Sequence, residues 1–266
     1  MSPLTTIQNL DFSKSEQYTL SIRINTDGFS FSIFNPLADN PYIFFDLDID
    51  HKIPLIANFK NLVSNHPFLS QLYKKVNIVI GDTKSIIHPI DLFQEKLAQE
   101  IYYYGQKLLS TNTKVCFNNL ENNKLTIIYG VNKTLYKFLN EHFHSPRFFA
   151  QNTPLIAFFA QKSKEGNTKK MFAHIQPDAI HIYCFNKGRL LLTNVFNTSE
   201  ISNQVYYILY IWKQIGLEQE RDELFLSGKL DSNNELIESI KKYINYVSVL
   251  NPTEYIDLKA INLCEL

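Results

Sequence analysis

The sequence predicts a two-lobed α/β protein in which one β-β-β-α-β-α-β unit occurs twice. Three observations lead there. Apolar residues alternate with polar ones around tight turns in two places, over residues 20–33 and 172–196. Each series continues with apolar residues at helical spacing and then a short apolar run of strand length. The two series start roughly 150 residues apart, which suits two lobes of one design and not a short-period solenoid.

The first lobe is expected over residues 18–164, after a polar, aperiodic tail at residues 1–17. Leu20, Ile22 and Ile24 alternate with polar partners, Thr26-Asp27-Gly28 supplies a type I′ hairpin turn, and Phe29, Phe31 and Ile33 resume the alternation. A break at residues 36–40 precedes a third strand over 41–47. Leu55, Phe59, Leu62 and Val63 mark a helix, and residues 76–80 form a β-branched strand ended by Gly81-Asp82. A second helix is expected over 91–109, strands over 114–117 and 125–129, a helix over 132–142 and a short strand over 147–150.

Residues 162–170 are rich in Lys and lack apolar periodicity, so they read as a junction before a second lobe at residues 165–266. Strands over 172–176, 179–185 and 190–196 form a meander turned at Pro177-Asp178 and Asn186-Lys187-Gly188. A helix over 199–215 is capped by Thr198 or Ser199. A strand over 223–226, a helix over 233–243 and a strand over 246–250 complete the repeat. Ligands in such sheets sit near the carboxyl ends of the parallel strands.

Composition removes several classes of function. Lys plus Arg number 26 and Asp plus Glu number 26, so no net field draws the chain onto nucleic acid. The three cysteines, Cys116, Cys184 and Cys264, show no metal-ligand spacing and read as reduced thiols. Residues 1–21 lack a signal-peptide pattern, and no run approaches the roughly 18 apolar residues of a membrane span. A cytoplasmic protein without membrane insertion is expected. Glycine is scarce, at 8 of 266 residues, against about 7% in ordinary chains. Phosphate-cradling loops usually need more of it.

The duplicated order, the two hairpins and two local motifs resemble the actin-like ATPase superfamily, of ribonuclease H-like fold, over nearly the whole chain. Asn152-Thr153-Pro154-Leu155-Ile156-Ala157 resembles the family's connecting helix start, commonly Asn-Glu-Pro-Thr-Ala-Ala, with Thr153 as cap and Pro154 in the first turn. Leu226-Ser227-Gly228-Lys229 resembles its adenosine motif, with Lys229 where a second glycine is usual. The pattern also suggests an uncharacterised bacterial family of this fold with degenerate nucleotide loops.

That resemblance implies a metal-binding carboxylate at the end of each lobe's first strand and glycine-rich turns against phosphate. Aligning Ile22-Arg23-Ile24-Asn25-Thr26 with the family's Ile-Asp-Leu-Gly-Thr puts Arg23 in the carboxylate's place. In the second hairpin, Asp-Leu-Gly-Gly-Gly-Thr is replaced by Gln176-Pro177-Asp178-Ala179-Ile180-His181. Pro177 removes an amide donor there. Asp27, Gly28, Asp178 and Gly228 remain as nucleotide-site candidates: the aspartates as shifted Mg²⁺ ligands, Gly228 beside an adenine. Each also has a plain structural reading, a hairpin turn for Thr26-Asp27-Gly28 and a strand-to-helix turn for Gly228.

Other constellations are weaker. Asp46, Asp48 and Asp50 resemble the start of a calcium loop but lack its glycine and final Glu, and fit a solvated strand face. His174 and His181 are expected to face each other on paired strands. The Tyr102-Tyr103-Tyr104 run and the cluster Tyr206, Tyr207, Tyr210 and Trp212 serve either core packing or a partner surface. The expected function is a non-catalytic actin-like-fold module that binds another protein and needs no cofactor. The alternative is a divergent ATPase or small-molecule kinase using ATP and Mg²⁺ through Asp27 and Asp178.

Overall fold

Strand β1 (Thr19–Ile24) is the member around which the first half is built, and all six of its residues are buried. It pairs antiparallel with β2 (Gly28–Phe34), which pairs with β3 (Tyr42–Asp48), giving the expected meander. On the other side β1 runs parallel to β4 (Lys75–Ile80), and β4 runs parallel to β8 (Arg147–Ala150). The sheet order is therefore β3-β2-β1-β4-β8. The computed structural model describes residues 10–26, 28–81, 84–106, 112–230, 235–251 and 255–264.

The two faces of this sheet differ chemically. Alternation sends Leu20, Ile22 and Ile24 one way, while Ser21 and Arg23 point the other way and are buried too. There Asn77 donates through Nδ2 to Ser21 Oγ (3.1 Å), and its Oδ1 accepts from Arg147 Nε (3.1 Å) and Nη2 (2.8 Å). Helix α1 (Leu55–Asn65) follows Pro54 and buries Phe59 edge-on against Phe29 at 5.2 Å.

A three-stranded antiparallel sheet interrupts the first half between β4 and β8, in the order β5-β7-β6. Its strands are β5 (Ser85–Pro89), β6 (Thr113–Leu120) and β7 (Leu125–Asn132). Strand β5 is not foreseen by the sequence. The helix expected over 91–109 is also corrected: two 3-10 turns precede α2 (Ala98–Gln106), and its expected last residues, 107–109, lie outside the described ones. Phe93 is extended because its ring packs on Phe117 at 5.0 Å, a contact across the chain that outweighs local helical spacing. Helix α3 (Lys133–His142) is capped by Asn132, whose Oδ1 accepts from the Thr134 and Leu135 amides.

The second half repeats the plan. β9 (Lys169–Gln176), β10 (Ala179–Asn186) and β11 (Arg189–Asn197) form the meander, and β12 (Glu223–Gly228) and β13 (Tyr246–Val249) add in parallel. The order β11-β10-β9-β12-β13 matches that of the first sheet, strand for strand. Lys187 and Gly188 both adopt positive φ between Asn186 and Arg189, the two-residue turn that suits strand twist. Helices α5 (Ile201–Gln214) and α6 (Glu235–Lys241) cover one face, where Ile208, Ile211, Trp212, Leu236 and Ile240 meet Ile182 and Leu226. α4 (Asn152–Lys162) supplies Phe159, stacked on Phe172 at 4.5 Å, and α7 (Ile256–Ala260) buries Asp257 and Leu258.

Two expected caps are replaced by other contacts. Thr153 lies inside α4 and its hydroxyl donates to Asn118 Oδ1 at 2.8 Å. α5 starts after Glu200 without a side-chain cap, and Thr198 Oγ1 accepts from the Glu200 amide at 3.2 Å. The chain divides into two compact units, Met1–Pro154 with Cys264–Leu266, and Leu155–Leu263. Residues 162–170 thus lie inside the second unit. No helix among the described residues is long and apolar enough to cross a membrane.

Candidate functional site

In the first unit the β1–β2 turn is where a nucleotide loop of this architecture would stand. Arg23 is 9% exposed, and its Nη2 donates to Ser30 Oγ at 2.7 Å across the β1–β2 pair. A buried cation therefore occupies the end of the strand that would present a metal-binding carboxylate. Asn25 closes the turn with its amide donating to Gly28 O at 3.0 Å. Gly28 is already extended, without a positive φ, and pairs with Asp48 in β3. That corrects its expected left-handed turn role. Asp27 lies outside the described residues.

Asn25 follows β1 and Gly81 follows β4, so both sit at the carboxyl ends of neighbouring parallel strands. A Cβ on Gly81 would lie 1.7 Å from Asn25 Oδ1. A side chain at 81 would therefore require the Asn25 amide to move aside.

In the second unit, Gln176, Pro177 and Asp178 make the corresponding turn between β9 and β10. Gln176 is buried and its Oε1 accepts from His181 Nε2 at 2.8 Å, so its amide serves the sheet. Asp178 is exposed, and its carbonyl accepts from the Thr198 amide at 2.9 Å. His174 and His181 are register partners, as expected, with ring centroids 6.4 Å apart. His174 Nδ1 shares a hydrogen bond with Ser227 Oγ at 3.1 Å, tying β9 to β12.

Gly228 ends β12 with φ +87°, and a Cβ there would come within 2.0 Å of Ile175 O and 2.7 Å of Ile175 N. The Lys229 amide then donates to Ile175 O at 2.8 Å. Close approach of two strands accounts for the glycine without a ligand. Beside this turn lies a pocket of about 180 Å³, lined by Gln176, Pro177, Gln204, Lys229 and Glu235 among others. Asp178 and Gly228 are not part of its wall.

Asp46, Asp48 and Asp50 are exposed, the first two on β3. Among the described residues no three His, Cys, Asp or Glu side chains are placed to hold a metal. The aromatic clusters divide: Trp212 is buried, while Tyr104, Tyr206 and Tyr210 are exposed.

The sequence reading missed a larger concavity, in the first unit. It measures about 610 Å³ and runs beside β6, with Lys96, Lys114, Lys133, Tyr129 and Tyr136 in its wall. No motif announces it. The lysines are spread over residues 96–133 and converge only because β6 and β7 pair and α3 follows directly.

The sequence pattern of DUF3822, described as a protein of unknown function, matches residues 7–247. A crystal structure from Bacteroides thetaiotaomicron VPI-5482, a protein with actin-like ATPase fold and unknown function, is 45% identical. The match covers 96% of this chain and 99% of that one, with a TM-score of 0.88. A chain in the PilM-PilN type IV pilus biogenesis complex is 10% identical, covering 93% of this chain and 99% of its own, with a TM-score of 0.59. At that identity the likeness bears on the fold alone. No curated protein matches the sequence.

Proposed function

The chain belongs to the DUF3822 family of unknown function and has the actin-like ATPase fold, and from that premise we propose that it is a non-catalytic module that binds a partner protein. The observation that carries the proposal is Arg23, a buried guanidinium hydrogen-bonded to Ser30 where the fold's chemistry calls for a carboxylate. At an effective dielectric of about 20, like unit charges about 4 Å apart repel by about 4 kcal/mol. A hydrated Mg²⁺ brought to that strand end meets repulsion instead of a ligand.

The second hairpin supports the same reading. Pro177 offers no amide to phosphate, Gln176 is held by His181, and Gly228 is closed against Ile175. A chain of the same fold occurs in the PilM-PilN type IV pilus biogenesis complex, an instance of this scaffold joined to another protein. We assign the module to the cytoplasm, where Cys116, Cys184 and Cys264, unpaired in the structure, remain reduced.

Isothermal titration of the full chain with ATP and Mg²⁺ tests the proposal. No binding heat is expected at millimolar nucleotide. Tight Mg²⁺-dependent binding that Asp178→Ala abolishes overturns it, in favour of an ATP-binding protein with Asp27 and Asp178 as shifted ligands.

A further inference from the structure

Strand β6 is an edge. Among the described residues it pairs with β7 alone in the order β5-β7-β6, so every second residue turns its N–H and C=O away from its neighbour. At residue 118 the strand meets β8: Asn118 Nδ2 donates to Phe148 O at 2.8 Å, and Asn118 Oδ1 accepts from the Ala150 amide at 3.0 Å. Before residue 118 it borders the concavity of about 610 Å³.

All five residues from 113 to 117 contribute to the wall of that concavity. Successive side chains of a strand point to opposite faces, so a space that meets all five lies along the strand's edge and not over one face. Five residues span about 16 Å at strand rise, which is the length of a short added strand. Tyr136 and Phe148 also belong to its wall. Tyr129 is fully buried there.

Charge selects the occupant. Lys96, Lys114 and Lys133 are exposed around the groove, and among the described residues Glu95 is the one carboxylate in its wall. We propose that an acidic, extended segment of a partner protein docks here by adding as a strand to residues 113–117 of β6, its carboxylates set against the three lysines. The proposal rests on the reading of the chain as a protein-binding module and names the surface and the kind of partner. Lys114, on the edge strand itself, also discourages self-pairing; with Lys96 and Lys133 beside it, the concave edge repels a basic strand and attracts an acidic one.

The test is selection of a phage-displayed random decapeptide library on the immobilised full chain, followed by fluorescence anisotropy with the enriched sequences. The expected peptides alternate apolar residues with Asp or Glu. The Lys114→Glu/Lys133→Glu double variant, which keeps the fold because both lysines are exposed, is expected to weaken binding at least about tenfold, as is higher salt. N-methylation of alternate peptide amides is expected to abolish binding in one of its two registers, a readout that side-chain docking would not give. Enriched peptides that bind the double variant equally, or tolerate N-methylation in both registers, overturn the assignment to β6 while leaving a protein-binding module elsewhere intact. Enrichment of basic or uncharged sequences overturns the acidic partner. ATP binding in the calorimeter overturns the module reading without touching the β6 groove.

Discussion

Asn118 on the inserted small sheet accepts a hydrogen bond from the backbone amide of Ala150, the last residue of β8, at 3.0 Å. The same side chain donates to Phe148 O and accepts from the Thr153 hydroxyl, so one buried amide serves the edge of the five-stranded sheet and the first turn of α4. It takes the place of a missing neighbouring strand.

Replacing Asn118 with Leu keeps its bulk and strands those three partners. With each unsatisfied buried group costing about 1 kcal/mol or more, Asn118→Leu is expected to lower stability by about 3 kcal/mol. The shift in urea midpoint at constant m-value measures it.

Gly228→Ala is expected to be at least as damaging, because the new Cβ meets the backbone of Ile175 and the residue must keep φ +87°. Strain at such a position together with a backbone clash amounts to about 3 kcal/mol or more. Urea unfolding without nucleotide reads this directly. A glycine kept only for an adenine would show wild-type stability in that experiment.

The pair of buried Lys170 and half-buried Glu223 predicts an asymmetry. Lys170 is almost fully buried and its ammonium is held by Glu223, which also accepts from Thr168. Burial pushes the Glu223 carboxyl up, but hydrogen bonds from Lys170 and Thr168 outweigh it and hold the carboxyl below its ordinary range. A lowered folded value means stability present above the unfolded pKa and lost as pH falls through the folded one, so this contribution fades below about pH 4.5. Glu223→Gln leaves a buried cation poorly paired and is expected to cost about 2 kcal/mol, whereas Lys170→Met removes the charge and costs less. Chemical denaturation of both variants at pH 7 ranks them.

Alkaline pH is expected to destabilise the protein. Burial pushes the thiols up, Cys184 and Cys264 to about 12 and Cys116 to about 11, and raises the hydroxyls of Tyr73, Tyr129 and Tyr183 as well. The unfolded thiols titrate near 8.5. Between the unfolded and folded values the native state holds more protons, so stability is full below about pH 8.5 and falls as pH rises toward 12. Urea midpoints at pH 7, 8.5 and 10 check the sign. At pH 8 the three thiols are also expected to react slowly with iodoacetamide until the chain is unfolded.

The duplicated plan was legible because it depends on local periodicity. Leu20, Ile22 and Ile24 alternate against Ser21 and Arg23 whatever packs on them, and Lys187-Gly188 carries its own turn chemistry. Arg23 was also visible, standing in the sequence where the resemblance calls for a carboxylate. Strand β5 and the late start of α2 were not, because Phe93 abandons helical spacing to reach Phe117 in another strand.

The sequence by itself determined two β-β-β-α-β-α-β series and the residues, Arg23 and Gln176 to Ile180, that differ from the loops the resemblance implies. Only the tertiary structure decided what those residues do. Arg23 finds Ser30 through the pairing of β1 with β2, and Gly228 meets the backbone of Ile175 through the pairing of β9 with β12. The lysines of the β6 groove gather from residues far apart in the chain. The physical reason is that periodicity is a property of neighbours along the chain, whereas a partner, a clash or a groove is made by strands and helices that meet only when the sheets assemble.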